Sequence, residues 1–275
     1  MPQSHVEAHG ARIPAIGLGT WDLRGDEGRR AVAAALAAGY RHIDTAIMYE
    51  NEAQVGAGLR DAGVPRDQVF ITTKVPPTLI GEHDLVKAAA ASVQRLGVDQ
   101  ADLLLIHWPN PEIDLSGSIR ALNKARREGI ARHIGVSNFT VRLLDQAWSL
   151  TQEPLVTNQC EYHPLLDQTR LLAACRRHGM AFTSYTPIGR GKLFGAPAIA
   201  AAARAHGRTE SQIILRWHIQ QPGVVAIPRS VNPARIAENL DVFGFTLSDG
   251  EVAAISALAR PDGRMVRPVW SPEWD

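Results

Sequence analysis

Short runs of β-branched or leucine-rich residues recur eight times along this chain, and each is followed by a stretch with helical spacing before the next begins. The runs are Ala15 to Thr20, His42 to Ala46, Val69 to Val75, Asp102 to His107, His133 to Ser137, Val156 to Cys160, Met180 to Tyr185 and Val224 to Ile227. Leu103, Leu104, Leu105 and Ile106 are consecutive apolar residues, as expected of a parallel strand buried on both faces. Eight such units can close into a barrel, whereas an open doubly wound sheet usually has fewer strands and a glycine fingerprint after the first. That fingerprint is missing: Gly17-Leu18-Gly19 is followed by Thr20, Trp21 and Asp22, so the third glycine of G-x-G-x-x-G is absent. The expected fold is therefore α/β, a (β/α)8 TIM barrel, and any dinucleotide must be held without that loop.

Helix punctuation fits the same plan. Asp84 reads as an N-cap with Gly97 just past the helix end, and Thr209 with Gln212 and Ser248 with Glu251 read as capping boxes. Before the first strand, His5 to Ile13 alternates polar and apolar residues around Gly10, which predicts a β-hairpin placed to plug the barrel floor. The proline-rich tail, Pro261 to Asp275, is expected to be irregular chain packed on the barrel. With no linker or low-complexity tract, residues 1–275 read as one barrel domain.

Composition removes several classes of function. The formal charge is +1, from 29 Lys+Arg against 28 Asp+Glu, so no global field would attract nucleic acid or an anionic membrane. The longest apolar run, Ala31 to Ala38, falls far short of the roughly 18 residues that span a bilayer. The opening MPQSHVEAHG has neither a basic nor an apolar signal region, so a cytoplasmic location is expected. Cys160 and Cys175 lack C-x-x-C spacing and read as buried thiols. The histidines show no H-x-H or H-E-x-x-H spacing, so no metal site is expected.

In such a barrel, catalytic groups sit where strands end, at the C-terminal face. Four candidates fall there from three consecutive strands: Asp44, Tyr49, Lys74 and His107. A charged Asp44 inside HIDTA and a charged Lys74 at the end of FITTK would each be costly to bury alone, and can neutralise each other. A phenol with a free pKa near ~10 is a poor acid, but a neighbouring ammonium stabilises its phenolate. Lys74 beside Tyr49 is therefore expected to bring the tyrosine down into use as a general acid. His107, closing a very hydrophobic strand, could donate a hydrogen bond to a substrate oxygen.

Around these residues nearly the whole chain resembles the aldo-keto reductases. The matching stretches are GLGTW at Gly17 to Trp21, GYRHIDTAIMYENEAQVG at Gly39 to Gly56, ITTKV at Ile71 to Val75, LLLIHWP at Leu103 to Pro109, GVSNF at Gly135 to Phe139, TNQCEYHP at Thr157 to Pro164 and IPRS at Ile227 to Ser230. The resemblance assigns Asp44, Tyr49, Lys74 and His107 to the catalytic tetrad, and implies NADPH (NADP+) as cofactor. Ser137, Asn138 and Gln159 would then hold the nicotinamide carboxamide, and Tyr185 would stack on the ring. Gly19 and Thr20 fall among the cofactor contacts, and Thr186 and Ile188 through Gly191 would pass over the pyrophosphate. Arg229, Ser230, Arg235, Glu238 and Asn239 match the 2′-phosphate and adenine site, with arginine at 229 where lysine is commoner in the family. Arginine keeps the charge and adds a planar fork, so NADPH is expected over NADH.

The chain has little of the longer loops and tail of relatives that take large substrates. Its length, TSYTPIGRGKL at Thr183 to Leu193 and the SPEWD ending most resemble the short bacterial 2,5-diketo-D-gluconate reductases, type B, which implies small carbonyl substrates including methylglyoxal-like ones. Trp21 and Trp108 would line an open pocket with Tyr49 and His107. A monomer is expected by the same resemblance. A cofactor-binding regulatory subunit with little turnover would carry the same motifs, and is separated from an enzyme by turnover.

Overall fold

The computed structural model describes residues 4–274; Asp275, the last residue of the SPEWD ending, lies outside them, as do residues 1–3. A hairpin of β1 (His5–Ala8) and β2 (Ala11–Pro14) comes first, paired antiparallel with Ala8 opposite Ala11. His9 and Gly10 form the turn with positive φ of 48° and 82°, a geometry that glycine adopts without strain.

Eight parallel strands follow: β3 (Leu18–Gly19), β4 (His42–Asp44), β5 (Phe70–Val75), β6 (Ala101–Ile106), β7 (Ala131–Ser137), β8 (Leu155–Glu161), β9 (Ala181–Tyr185) and β10 (Val224–Ala226). They pair in sequence order. A parallel bridge between Ile16 and Ala226 closes the ring, with Gly17 N–H donating to Ala226 O at 2.9 Å and Ala226 N–H to Ala15 O at 2.9 Å. The helices between successive strands are α1 (Gly25–Ala37), α2 (Glu52–Ala62), α3 (Asp84–Leu96), α4 (Leu115–Arg127), α5 (Val141–Leu150) and α6 (Thr169–Arg177). Then come α7 (Pro197–His206) and α8 (Glu210–Ile219) before β10, and α9 (Pro233–Leu240) and α10 (Asp249–Ser256) after it. Residues 261–274 form neither helix nor strand. No helix among the described residues is long and apolar enough to cross a membrane.

Burial on both faces of β6 is direct. Leu104 and Ile106 pack with Ile119, Leu122 and Val136 in the layer under the helices. Leu103 and Leu105 face the other way, into a cluster with Val156, Ala181 and Val225 that Ala8, Ala11 and Ile13 of the hairpin complete. The hairpin therefore seals the barrel floor, and the opposite end is left for chemistry.

Both capping boxes form: Thr209 with Gln212 on α8, and Ser248 with Glu251 on α10. Asp84 is not an N-cap. His83 already has helical φ −88° and ψ −35°, and Leu85 N–H donates to Gly81 O at 3.0 Å, so the chain has turned before Asp84, which sits at the first helical position. Cys160 and Cys175 are buried free thiols.

One helix glycine fixes how closely two helices approach. A Cβ on Gly56 of α2 would lie 2.2 Å from the backbone oxygen of Leu96 at the end of α3. Gly56→Ala should gain about 1 kcal/mol of helix propensity, yet the overpacking, typically ~1–3 kcal/mol or more, reverses the sign. Chemical denaturation should show the variant less stable than the parent, and a higher urea midpoint would disprove the close approach.

Candidate active site

Asp44 is the last residue of β4, Lys74 lies one residue before the end of β5, and His107 follows β6, so three adjacent strands bring their ends to one mouth. Tyr49 closes a 3-10 turn, Ile47–Tyr49, in the loop after β4. Its backbone N–H donates to Ala46 O at 3.0 Å, and Glu50 reverses the chain with φ 55°.

Lys74 has no exposed side chain, and its ammonium finds three acceptors. It donates to Asp44 Oδ1 at 2.5 Å, to the carbonyl of Thr45 at 2.9 Å and to the Tyr49 hydroxyl at 3.3 Å. The same ammonium lies 4.9 Å from the Tyr49 ring centroid, and the His107 ring packs edge-on against Tyr49 with centroids 5.5 Å apart. His107 Nδ1 is buried with no hydrogen-bond partner among the described residues. The four predicted catalytic residues thus form one contiguous group.

Electrostatics here differ in one respect from the sequence expectation. Burial raises the Tyr49 phenol, and Lys74, which pulls it down, does not overcome that; Asp44 adds to the rise. The net direction is up because burial outweighs the Lys74 charge, which Asp44 partly offsets. Burial by itself lowers Lys74, but Asp44 and Tyr49 outweigh it and hold the ammonium charged. His107 is driven well below its usual range by burial and by Lys74, leaving a neutral imidazole. Tyr49 therefore rests as a protonated phenol, Lys74 as a fixed cation and His107 as a neutral ring.

A second set of groups from β7 to β9 is hydrogen-bonded to the first. Gln159 Nε2 donates to Asp44 Oδ2 at 2.7 Å, and Ser137 Oγ donates to the backbone oxygen of Gln159 at 2.7 Å. Asn138 Nδ2 donates to His107 O at 3.0 Å and its Oδ1 accepts from the Tyr185 hydroxyl at 2.8 Å. Asn138 and Thr186 hold left-handed φ of 61° and 55°, the strained backbone that clusters at functional sites. The predicted nicotinamide residues Ser137, Asn138, Gln159 and Tyr185 are thereby brought together beside the tetrad.

Six of the remaining predicted cofactor residues, Ile188, Arg229, Ser230, Arg235, Glu238 and Asn239, line a cavity of about 460 Å³. Phe194, Thr209, Glu210 and Ser211 line it too, residues that sequence reading missed; Thr209 had registered there as a helix cap alone. Two guanidiniums beside an apolar wall and hydroxyls fit a nucleotide whose ribose carries a phosphate. Gly191 accompanies Ile188 in the turn after β9, and Thr20 N–H donates to Asp44 O at 2.9 Å, tying Gly19 and Thr20 to the tetrad strand. Gly19 also runs close to β10, a Cβ there lying 2.9 Å from Ile227 O.

Of the two predicted substrate-wall residues, Trp108, next to His107 in the chain, is 5% exposed and Trp21 is 56% exposed. Arg229 donates to the carbonyls of Trp21 and Asp22 at 3.2 Å each, and the Arg190 guanidinium lies 5.7 Å from the Trp21 ring. Sequence reading also passed over two buried polar groups behind the site. Asn51 Nδ2 donates to Thr20 O and Leu23 O at 2.7 and 3.0 Å. Glu52 accepts from Thr73 at 2.6 Å, from Ser92, and from Arg95 Nε at 2.7 Å. Polar residues directly after Tyr49 in YENEAQ were the available signal.

Comparison with known proteins shows which family the chain belongs to. An aldo-keto reductase of Mycolicibacterium smegmatis is 45% identical over 250 residues, 90% of each chain. The morphine 6-dehydrogenase of Pseudomonas putida is 42% identical, covering 91% of this chain and 89% of its own. A crystal structure of a provisionally assigned 2,5-diketo-D-gluconic acid reductase B superposes with a TM-score of 0.97 at 42% identity, covering 99% of this chain and 98% of that one. A Bombyx mori aldo-keto reductase in complex with NADP gives a TM-score of 0.91 at 35% identity, covering 98% and 96% of the two chains. With the model of the Aldo/keto reductase family matching residues 15–260 as well, the chain belongs to that family.

Proposed function

We propose that this protein reduces a small aldehyde or ketone to the alcohol with NADPH, and that Tyr49 is the proton donor. The observation that carries the reading is the Lys74 ammonium, buried between Asp44 at 2.5 Å and the Tyr49 hydroxyl at 3.3 Å. The cofactor supplies the hydride when bound. The chain's part is to orient, to exclude water and to move one proton.

As negative charge grows on the carbonyl oxygen, the Tyr49 O–H donates to it and transfers its proton. Lys74 stabilises the phenolate left behind, which is where its charge matters, since in the resting site the phenol stays protonated. Asp44 fixes the ammonium in place, and the neutral His107 ring is positioned to donate a second hydrogen bond to the same oxygen. Ser137, Asn138 and Gln159 would set the nicotinamide plane and Tyr185 would back it, so that distance and angle to the carbonyl are fixed beforehand. Arg229 and Arg235 would hold the phosphorylated ribose end. Trp21 and Trp108 would line a mouth suited to small oxygenated carbonyls, of which 2,5-diketo-D-gluconate and methylglyoxal-like compounds are the expected class.

Absorbance at 340 nm, read with NADPH and each candidate carbonyl in turn, tests the reading; turnover supports it, and NADPH binding with no turnover on any carbonyl would point instead to a regulatory subunit. Tyr49→Phe should lower kcat by about 10²- to 10⁴-fold with NADPH affinity nearly unchanged, and full activity in that variant would remove Tyr49 as the acid. Because the folded-state phenol is raised and the acid form is the active one, kcat/KM for reduction should stay flat from about pH 6 to 9 and fall only above; a fall centred near neutrality would contradict this assignment. Arg229→Gln should cost about 10- to 100-fold in kcat/KM for NADPH and little for NADH, whereas equal losses with both would place the 2′-phosphate elsewhere.

A further inference from the structure

Glu161 ends β8 with its side chain fully buried, and it touches none of the four catalytic groups. Its carboxylate accepts the backbone N–H of Met265 at 2.6 Å and of Val266 at 2.9 Å, and stands 3.0 Å from His163 Nε2. Arg264, whose guanidinium lies 3.5 Å from the Trp274 ring centroid, comes within 4.0 Å of the second carboxylate oxygen. A buried carboxylate is tolerated only where charge-assisted hydrogen bonds replace water, and here two of the three come from a segment about a hundred residues away in sequence.

Two more contacts hold that segment to the loop after β8. Arg260 N–H donates to Leu165 O at 3.1 Å, and Gly263 crosses the same carbonyl so closely that a Cβ would sit 1.8 Å from it. On its other side the tail meets the loop after β9: Met265 Cε lies 3.5 Å from the point where Gly189 would carry a Cβ. Glu161 is also the register partner of Tyr185, the residue from which that loop departs. The turn itself is of a kind that needs support. Gly189, Arg190 and Gly191 all have positive φ, of 56°, 52° and 81°, and such backbone persists only when its surroundings over-determine it.

We propose that Glu161 is a positioning residue: it clamps the C-terminal tail across the end of β8 so that Met265 braces the Gly189–Gly191 turn, and this brace slows the escape of the bound coenzyme. The inference rests on the NADPH reading above, since Ile188 and Gly191 belong to the predicted coenzyme contacts.

The test compares Glu161→Ala, a chain ending at Gly263, and the two changes combined, by amide hydrogen exchange on the free proteins and by stopped-flow release of NADPH. In Glu161→Ala the amides of Met265 and Val266 should exchange at least tenfold faster, the 189–191 turn should loosen with them, and NADPH should leave at least threefold faster. The shortened chain should reproduce the faster release, and adding Glu161→Ala to it should change nothing further, because both remove the same brace. Should Glu161→Ala not fold, the shortened chain, which keeps Glu161 and lets water reach it, still carries the release measurement. Loosened tail amides with an unchanged NADPH release rate would overturn this inference and leave the functional reading standing. A parent protein that exchanges as expected yet binds no NADPH would overturn the functional reading, and the coenzyme role of the brace with it.

Discussion

A lysine and an aspartate buried together, with 0% and 1% of their side chains exposed, are the constraint around which the mouth of the barrel is arranged. Breaking a buried pair by removing one partner typically costs about 3–5 kcal/mol, so each of the two strands that carry them is held in register by the other's charge. Two of the ammonium's hydrogen bonds are consumed by Asp44 and Thr45, and the third falls on the Tyr49 hydroxyl. Asp44's other oxygen is taken by Gln159 from across the barrel. A stability requirement and a placement requirement are met by the same atoms: satisfying the pair leaves one donor direction, and that direction points at the phenol.

The pair also explains why the tyrosine is not the weakened phenol that a lone neighbouring lysine would make. Burial disfavours the phenolate first of all, and Lys74 is not an uncompensated charge, because Asp44 offsets part of its field at the hydroxyl. A phenol that stays protonated suits the proposed reduction, since the oxygen that would receive the proton becomes far more basic only as hydride arrives. His107, unable to hold a proton in the same field, complements it as a neutral ring.

Much of this was legible in the sequence because parallel barrel strands leave an unusual trace. Leu103 to Ile106 has no polar alternation since both faces are buried, and Asp44 and Lys74 stand out as charges inside such runs. Local signals carried the capping boxes at Thr209 and Ser248, and the hairpin at Gly10. Asp84 was misread because a cap is defined by backbone angles, and the preceding residues Gly81 to His83 had already begun to turn. The net direction of the Tyr49 shift was not readable, because desolvation sums over every atom packed around the hydroxyl while a sequence offers its nearest charged neighbour. Two of Glu161's partners were hidden for a related reason: they are backbone N–H groups of Met265 and Val266, which carry no residue signature.

The seam between Ile16 and Ala226 joins two halves of unequal duty. Asp44, Tyr49, Lys74 and His107 all come from the strands and loops of β4 to β6, while the nicotinamide and phosphate candidates come chiefly from β7 onward. Neither half holds a complete site, and they meet at the β6–β7 ladder and at the seam. On the proposed function, changes in the first half would act on reactivity and substrate entry, and changes in the second on coenzyme choice, with Gln159 and Asn138 as the side chains that reach across. On that reading, a barrel divided in this way would vary what it reduces largely without renegotiating what it reduces with, because the two preferences would be written mostly in separate stretches of chain.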